Sequence, residues 1–204
     1  MSNFFKQKPL ILASGSVIRK KLLASLGLDF NVIPANCDEE KIKQECQLEA
    51  MSFINMANAL AKAKALLVSK EHPNAYVLAA DQLCVQDKHY FDKPLNHEMA
   101  VANLNFLSGK THQQIAALCL AKGGEIIWEY QETASLTMHV LEKETIEAYL
   151  KLDKPYHSCG AYQYEGQGKW LFKKVIGAED TILGLPLLPL KKAFIDLGIV
   201  ELNQ

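Results

Sequence analysis

The chain opens with an apolar run, a short polar break and then a helical pattern. Residues 9–13 are almost all apolar, which predicts a short buried strand. The segment 14–16 (Ser-Gly-Ser) interrupts this run, and an amphipathic pattern containing Arg19 then continues to a stop at Gly27. The first amides of a helix lack intrahelical partners and favour an anion. The segment 14–16 is therefore either a phosphate site or an N-cap before a solvated basic face.

The hydrophobic spacing predicts alternating strands and helices along the rest of the chain. Strands are predicted at 29–33, 76–85, 89–91, 111–121, 125–138 and 170–176, and helices at 49–70, 96–107, 142–151 and in a last segment ending at 197. Residues 122–124 are typical of a hairpin between the two longest strands. Early strand–helix alternation followed by an antiparallel insertion predicts one α/β unit with two lobes.

The predicted helix 49–70 carries two lysines in different positions relative to its apolar stripe. The stripe follows three- and four-residue spacing through Phe53, Met56, Leu60, Ala63 and Leu67. Lys64 shares that stripe, whereas Lys62 points elsewhere and is expected to be solvated. A lysine on an apolar face either reaches water along its own stem or directs its ammonium into a cleft, and the pattern favours the cleft.

Asp81 and Gln82 interrupt the most apolar of the predicted strands, 76–85. A carboxylate inside an apolar strand is unfavourable unless another group pairs with it. Asp81 is therefore either a structural acid held by backbone amides or a catalytic base or metal ligand. The functional interpretation is favoured because such exceptions concentrate at functional sites.

Composition narrows the class of protein. The 204 residues are 49% hydrophobic and 22% charged, which is typical of a soluble globular protein. The net charge of −1 argues against a protein that coats nucleic acid. No run approaches the roughly 18 apolar residues that span a bilayer. The five cysteines form no C-x-x-C pair, which favours reduced thiols and a cytoplasmic setting.

Two loop segments carry further candidate chemistry. The acidic run 38–40 is either a solvated turn or helix start, or a ligand set for a hard divalent cation. The segment 159–168 is rich in glycine and aromatic residues, which indicates tight turns or the close approach of a ligand.

Taken in order, these short segments resemble the motifs of the Maf family of nucleoside triphosphate pyrophosphatases. The resemblance rests on 10–16 with Arg19, then 38–39, 60–65, 80–82, 93–94, 107–112, 160–162, 165–166 and 184–186. It implies a Maf/ITPase-like α/β fold, a single domain over 1–204. Its long bent mixed sheet would be flanked by helices, with two lobes and a deep central cleft. It also implies hydrolysis of a nucleoside triphosphate to the monophosphate and pyrophosphate with a divalent metal (Mg or Mn), and a homodimer.

The resemblance also implies which side chains line the cleft. The polar set is Ser14, Arg19, Glu39, Lys64, Asp81 and Lys93. Asp81 would accept the proton of the attacking water, directly or through the metal. The basic side chains would neutralise the phosphates. Glu39, with or without Asp38, would hold the metal together with Asp81.

Three positions depart from most of the family and resemble its 7-methyl-GTP branch. They are Ile18, Gln82 and Glu165, where many members carry arginine, threonine and glutamine. A carboxylate at 165 can accept from N1 and N2 of methylated guanine and offset its positive charge. An arginine at 18 would repel that cationic base. The branch usually has tryptophan at 18, so Ile18 would supply only apolar contact. Glu165 can instead be a structural acid that caps a glycine turn.

Other functions remain open at this stage. The chain can be a family member with dTTP, UTP or broad preference, or a non-catalytic nucleotide-binding regulator of cell division. The regulator is disfavoured because a simple binder has no need for a general base. A thiol-dependent activity is set aside because no cysteine has a recognisable histidine partner.

Overall fold

Strands and helices alternate in the computed structural model, which describes residues 4–203. The strands are β1 (Phe5–Gln7), β2 (Leu10–Leu12), β3 (Asn31–Val32), β4 (Tyr76–Gln86), β5 (His89–Phe91), β6 (Thr111–Lys122), β7 (Glu125–Met138), β8 (Phe172–Ile176) and β9 (Val200–Leu202). The α-helices are α1 (Val17–Ala24), α2 (Glu39–Leu48), α3 (Phe53–Glu71), α4 (His97–Leu107), α5 (Lys143–Asp153), α6 (Glu179–Ile182) and α7 (Leu187–Asp196). Short 3-10 helices cover Cys159–Ala161 and Gln167–Leu171.

The main sheet is mixed, as predicted. Within residues 4–203 its seven strands follow the order β3-β2-β4-β6-β7-β8, with β5 paired to β4. Strand β2 runs parallel to both β3 and β4, whereas β5 is antiparallel to β4 and β8 is antiparallel to β7. The predicted α/β fold with a mixed sheet is therefore confirmed.

The chain forms two compact units. Unit 1 comprises the described residues up to 81, residues 116–132 and those from 184 onwards. Its core joins strand residues such as Leu12 and Leu78 to Leu23 of α1 and Phe194 of α7. Burial of these side chains fixes α1 and α7 on β2 and β4, next to the polar segment at 14–16.

Unit 2 comprises residues 82–115 and 133–183. Its core joins Leu136 of β7 to Leu104 of α4, Leu150 of α5 and Tyr162. Leu104 and Leu150 are fully buried, so each of these two helices packs an apolar face against this core. This core positions the segment after α5 that contains the glycine-rich run.

Two of the sequence-based expectations for this fold need correction. Trp170 was placed in a strand, but it lies in the 3-10 helix Gln167–Leu171 and is 82% exposed, and β8 begins only at Phe172. Along α3, Leu67 is exposed and Val68 is buried instead. The buried residues of α3 repeat every four positions from Met56 to Val68 and include Lys64, whereas Ala63 of the predicted stripe is only partly buried.

None of the helices formed by residues 4–203 combines the length and the apolar character that a bilayer-spanning segment requires.

Candidate active site

The polar interruption of β4 is paired with a lysine from α3. Lys64 Nζ donates a hydrogen bond to Asp81 Oδ1 at 2.5 Å. Both side chains are about nine-tenths buried, with 10% and 9% of their surfaces exposed. Asp81 is thus held by an ammonium group rather than by backbone amides. Lys64 also lies on the buried face of α3, as its spacing predicted.

A second carboxylate reaches the same lysine from the start of α2. Glu39 Oε1 lies 3.0 Å from Lys64 Nζ, and its side chain is 43% exposed. Asp38 has a different role, because its Oδ1 accepts a hydrogen bond from Lys41 N at 3.0 Å and so caps the helix. The acidic run is therefore a helix start, and Glu39 is the residue of this run that contacts Lys64.

The charges around Lys64 keep its ammonium protonated. Burial lowers the pKa of Lys64, but the Asp81 carboxylate, its hydrogen bond and the Glu39 carboxylate outweigh that effect. The net result is a pKa above the ordinary value of 10.5. At neutral pH the cluster therefore presents a fixed positive charge between two carboxylates.

Arg19 contacts three separate segments of unit 1 beside this cluster. Its Nη1 donates to Ala80 O at 2.7 Å and to Ser14 Oγ at 3.5 Å, and its Nε donates to Gly184 O at 3.0 Å. Ala80 directly precedes Asp81, so the guanidinium braces the strand at the acid. The structure thus brings Ser14, Arg19, Glu39, Lys64 and Asp81 together within unit 1.

The segment 14–16 also begins a helix, as the N-cap interpretation requires. Ser16 Oγ accepts a hydrogen bond from Arg19 N at 3.4 Å, and Ser14 Oγ accepts one from Ser16 N at 3.2 Å. Ile18 lies in the first turn of α1 and is partly buried. The Ser16 cap leaves the anion-binding role of the first amides open, since a cap satisfies only part of the helix N-terminus.

Gln82 and Lys93 belong to unit 2 and differ in their surroundings. Gln82 Nε2 donates to Ile182 O at 2.7 Å and to Thr181 O at 3.2 Å, which ties β4 to the end of α6. Lys93 lies between β5 and α4 and is exposed. Within residues 4–203 it forms neither a hydrogen bond nor an ion pair. Gln82 thus has a clear structural partner, whereas Lys93 is accessible to solvent.

Glu165 lies at the tip of a tight turn in unit 2. The turn is closed by the hydrogen bond from Gly166 N to Gln163 O at 3.2 Å. Asp153 of α5 caps it, because Asp153 Oδ2 accepts from Gln167 N at 2.9 Å. Glu165 itself is exposed, and its carboxylate accepts no hydrogen bond from the part of the chain that is described. Capping this glycine turn is therefore the role of Asp153 rather than of Glu165.

The carboxylates around Lys64 are the donor set available to a metal. No cluster of three or more His, Cys, Asp or Glu side chains suited to a metal occurs between residues 4 and 203. Glu39 and Asp81 nevertheless converge on one nitrogen atom. Mg²⁺ is commonly held by one or two carboxylates, with water and substrate phosphates completing the octahedron. This pair of carboxylates therefore fits a metal ion whose remaining ligands come from water and from the phosphates of a substrate.

Cys37 is a neighbour of this cluster that the sequence did not single out. Burial raises the pKa of its thiol, the charge of Lys64 opposes the shift, and the Glu39 carboxylate adds to it. The thiol therefore stays protonated at neutral pH and is not activated as a nucleophile. The only indication of this location in the sequence is that Cys37 directly precedes Asp38 and Glu39.

Comparison with known proteins gives matches over most of the chain. The sequence model of a family described as Maf-like protein matches residues 9–197. A nucleoside triphosphate pyrophosphatase of Legionella pneumophila subsp. pneumophila (strain Philadelphia 1) is 60% identical over 200 residues, which cover 98% of this chain and 99% of the relative. A 7-methyl-GTP pyrophosphatase of Mesorhizobium japonicum is 41% identical over 194 residues, 94% and 98% of the two chains. The solved structure of the Staphylococcus aureus Ham1 protein aligns with a TM-score of 0.46 and 14% identity, covering 94% of this chain and 100% of that one. The family match and the full-length identities agree with the motif resemblance, and the chain belongs to the Maf family.

Proposed function

We propose that this protein hydrolyses nucleoside triphosphates to the monophosphate and pyrophosphate. The observation that carries the proposal is the buried Lys64 held between Asp81 and Glu39, with Arg19 and Ser14 beside it. A buried cation between a buried and a half-exposed carboxylate suits a reaction that must both bind a polyanion and activate water. Full-length relatives named nucleoside triphosphate pyrophosphatase support the same activity.

Within this proposal, Asp81 is the proton acceptor. Lys64 donates to Asp81 Oδ1, and Oδ2 accepts no hydrogen bond from the described chain. Oδ2 is therefore the atom that takes the proton of the attacking water. The hydrogen bond from Lys64 fixes the orientation of this carboxylate. Arg19 and Lys64 of unit 1 offset charge on the phosphates.

The proposal includes Mg²⁺ or Mn²⁺ held by Glu39 and Asp81. A divalent ion at these carboxylates supplies charge neutralisation at the phosphate oxygens. The support is the donor set itself, since the hard oxygen atoms of Glu39 and Asp81 converge at Lys64. The direct alternative, in which Asp81 acts on water without sharing a metal, uses the same Oδ2 atom.

We further propose that 7-methyl-GTP is the preferred substrate. Glu165 is presented at a turn with its carboxylate open to a ligand, as recognition of the N1 and N2 hydrogens requires. A carboxylate also compensates the positive charge that N7-methylation gives guanine. The Ile18 side chain is apolar, so it adds no charge that would repel a cationic base. One relative is named a 7-methyl-GTP pyrophosphatase.

A substrate panel tests the proposal. Pyrophosphate release is measured for 7-methyl-GTP, GTP, dTTP and UTP at equal concentrations, with Mg²⁺, with Mn²⁺ and with a chelator. The expected result is metal-dependent hydrolysis with the highest kcat/KM for 7-methyl-GTP. Faster hydrolysis of dTTP or UTP would assign the pyrimidine or broad preference instead. Binding of these nucleotides without pyrophosphate release would favour the regulator.

Replacing Glu165 by glutamine is expected to lower the preference for 7-methyl-GTP over GTP by about tenfold. The amide keeps the shape but loses the charge that pairs with the cationic base, and a charge-assisted hydrogen bond contributes about 1.5–3 kcal/mol. The ratio of kcat/KM values is measured for the two nucleotides. Glu144→Gln, an exposed acid on α5, is the matched control. An equal loss with every nucleotide would show that Glu165 is structural.

The cytoplasmic setting and the homodimer that the resemblance implies stay predictions. Sedimentation of the purified chain at micromolar concentration measures its oligomeric state directly.

A further inference from the structure

The turn that carries Glu165 is bound to α5 through side chains rather than through strand pairing. Tyr149 Oη accepts a hydrogen bond from Gln163 N at 2.9 Å, on the side of the turn that precedes Glu165. Asp153 Oδ2 accepts from Gln167 N at 2.9 Å, on the side that follows it. The two contacts hold both ends of the turn from one helix, and Glu165 lies between them.

Tyr149 and Asp153 are spaced to act together. They are four residues apart on α5, so their side chains lie on the same face of the helix. Tyr149 is 6% exposed. Burial, together with the neighbouring Asp153 carboxylate, raises the pKa of Tyr149 above its ordinary value of 10. Its hydroxyl therefore keeps its proton across the neutral range.

Asp153 stands at the end of the helix where an acid is unfavourable. It is the last residue of α5, and the helix dipole disfavours negative charge there by about 0.3–1 kcal/mol. Its carboxylate is used instead to cap the next segment of chain. This placement is explained by the amide of Gln167 and not by the stability of α5.

The glycines of the turn allow its backbone to lie directly on these side chains. A Cβ at Gly166 would stand 2.7 Å from Asp153 Oδ2. One at Gly168 would stand 2.3 Å from Gln163 O and 3.1 Å from Tyr149 Oη. Real Cβ atoms do not approach so closely, so glycine at both positions is a condition of this contact.

We infer that Tyr149 and Asp153 are positioning residues for specificity, which act by holding Glu165 at the base of the bound nucleotide. This inference rests on the proposed function. A free loop would have to be ordered each time a base is bound, which costs conformational entropy. The α5 contacts remove that cost before the nucleotide arrives. They act on the recognition of the base and leave the Lys64–Asp81 chemistry unchanged.

The test is a comparison of Tyr149→Phe with Glu165→Gln. Tyr149→Phe removes the hydrogen bond from Gln163 N and the one between the tyrosine hydroxyl and Asp153. This loss should lower the kcat/KM ratio of 7-methyl-GTP to GTP by about three- to tenfold, mainly through KM. The double variant Tyr149→Phe, Glu165→Gln should lose no more selectivity than Glu165→Gln alone, because both changes remove the same contact. Tyr156→Phe is the matched control, since its hydroxyl bonds His97 at 3.2 Å outside this turn.

A second variant and a second measurement keep the inference testable if Tyr149→Phe fails to fold. Asp153→Ala removes the acceptor for Gln167 at a half-buried position and should lower the same ratio. Amide hydrogen exchange of the full chain should become faster at Gln163 in Tyr149→Phe and at Gln167 in Asp153→Ala.

The outcomes separate the two proposals. A selective wild-type enzyme whose kcat/KM ratio is unchanged in both variants would overturn this inference and leave the proposed function standing. Additive losses of selectivity in the double variant would also overturn it. A wild-type enzyme that shows no preference for methylated guanine would overturn the proposed substrate, and the assigned purpose of the α5 contacts with it.

Discussion

Asp81→Asn is expected to lower the rate of pyrophosphate release by about 10²–10⁴-fold, the usual contribution of a general base. Asparagine has the same shape and keeps an oxygen that can accept from Lys64, but it cannot take a proton from water. The effect should therefore fall on kcat with every nucleotide of the panel. Nucleotide binding should persist, because Arg19 and Lys64 remain and the Glu39 carboxylate is still available to a metal.

The control for this variant is Asp196→Asn, which makes the same chemical change in unit 1. Asp196 is an exposed acid that pairs with Lys192 at 2.5 Å on α7, away from the Lys64 cluster. Its activity should match the wild type. Thermal unfolding of both variants shows whether the fold is kept. Turnover by Asp81→Asn within a few-fold of the wild-type rate would remove Asp81 from the mechanism.

Lys64→Met is expected to destabilise the fold by about 3 kcal/mol, as for removal of one partner of a buried ion pair. Methionine fits the buried face of α3, but it leaves the Asp81 carboxylate buried without its counter-ion. Activity should also fall, because the charge that offsets the phosphates is lost. Urea denaturation at neutral pH measures the free energy of unfolding.

The adjacent lysine on α3 provides the matched control. Lys62 pairs with Glu129 at 2.6 Å, but it is 43% exposed, and exposed ion pairs contribute about 0–1 kcal/mol. Lys62→Met should therefore be nearly neutral. The double variant Lys64→Met, Asp81→Asn should regain most of the lost stability while remaining inactive, because neither buried charge is then unpaired. Equal stabilities for Lys62→Met and Lys64→Met would contradict the buried pair.

The pH dependence of this stabilisation follows from the pKa of Lys64. Folding raises that pKa above 10.5, so the stabilisation is complete below this value and is lost as the pH rises through the higher folded pKa. The difference in unfolding free energy between wild type and Lys64→Met should therefore be constant from pH 7 to 9 and shrink in more alkaline solution.

Periodicity predicted the helices with a clear apolar stripe and missed α2, which has none. The stripes of α4 and α5 are regular, and their apolar residues are buried. In α2 the buried residues are Lys43 and Cys46, so no apolar stripe distinguishes this helix from a solvated loop. Only packing against α3 shows that the acidic run continues as a helix.

The pairing of β1 with β9 could not be predicted from either strand. Each has three residues, and they are joined by antiparallel pairing between Phe5 and Leu202 and between Gln7 and Val200. Short strands carry too little alternation to be recognised, and this contact joins segments near opposite ends of the described chain.

The sequence by itself determined the family, the mixed α/β class and the residues in conflict with their surroundings. A carboxylate in an apolar strand and a lysine on an apolar stripe were visible because each violates a local rule, and such violations can be read one segment at a time. Tertiary structure alone decided that the two meet at Lys64 Nζ, that Glu39 joins them while Asp38 caps a helix, and that Asp153 rather than Glu165 caps the glycine turn. These choices depend on distances between segments that lie far apart along the chain, and local propensity contains no information about those distances.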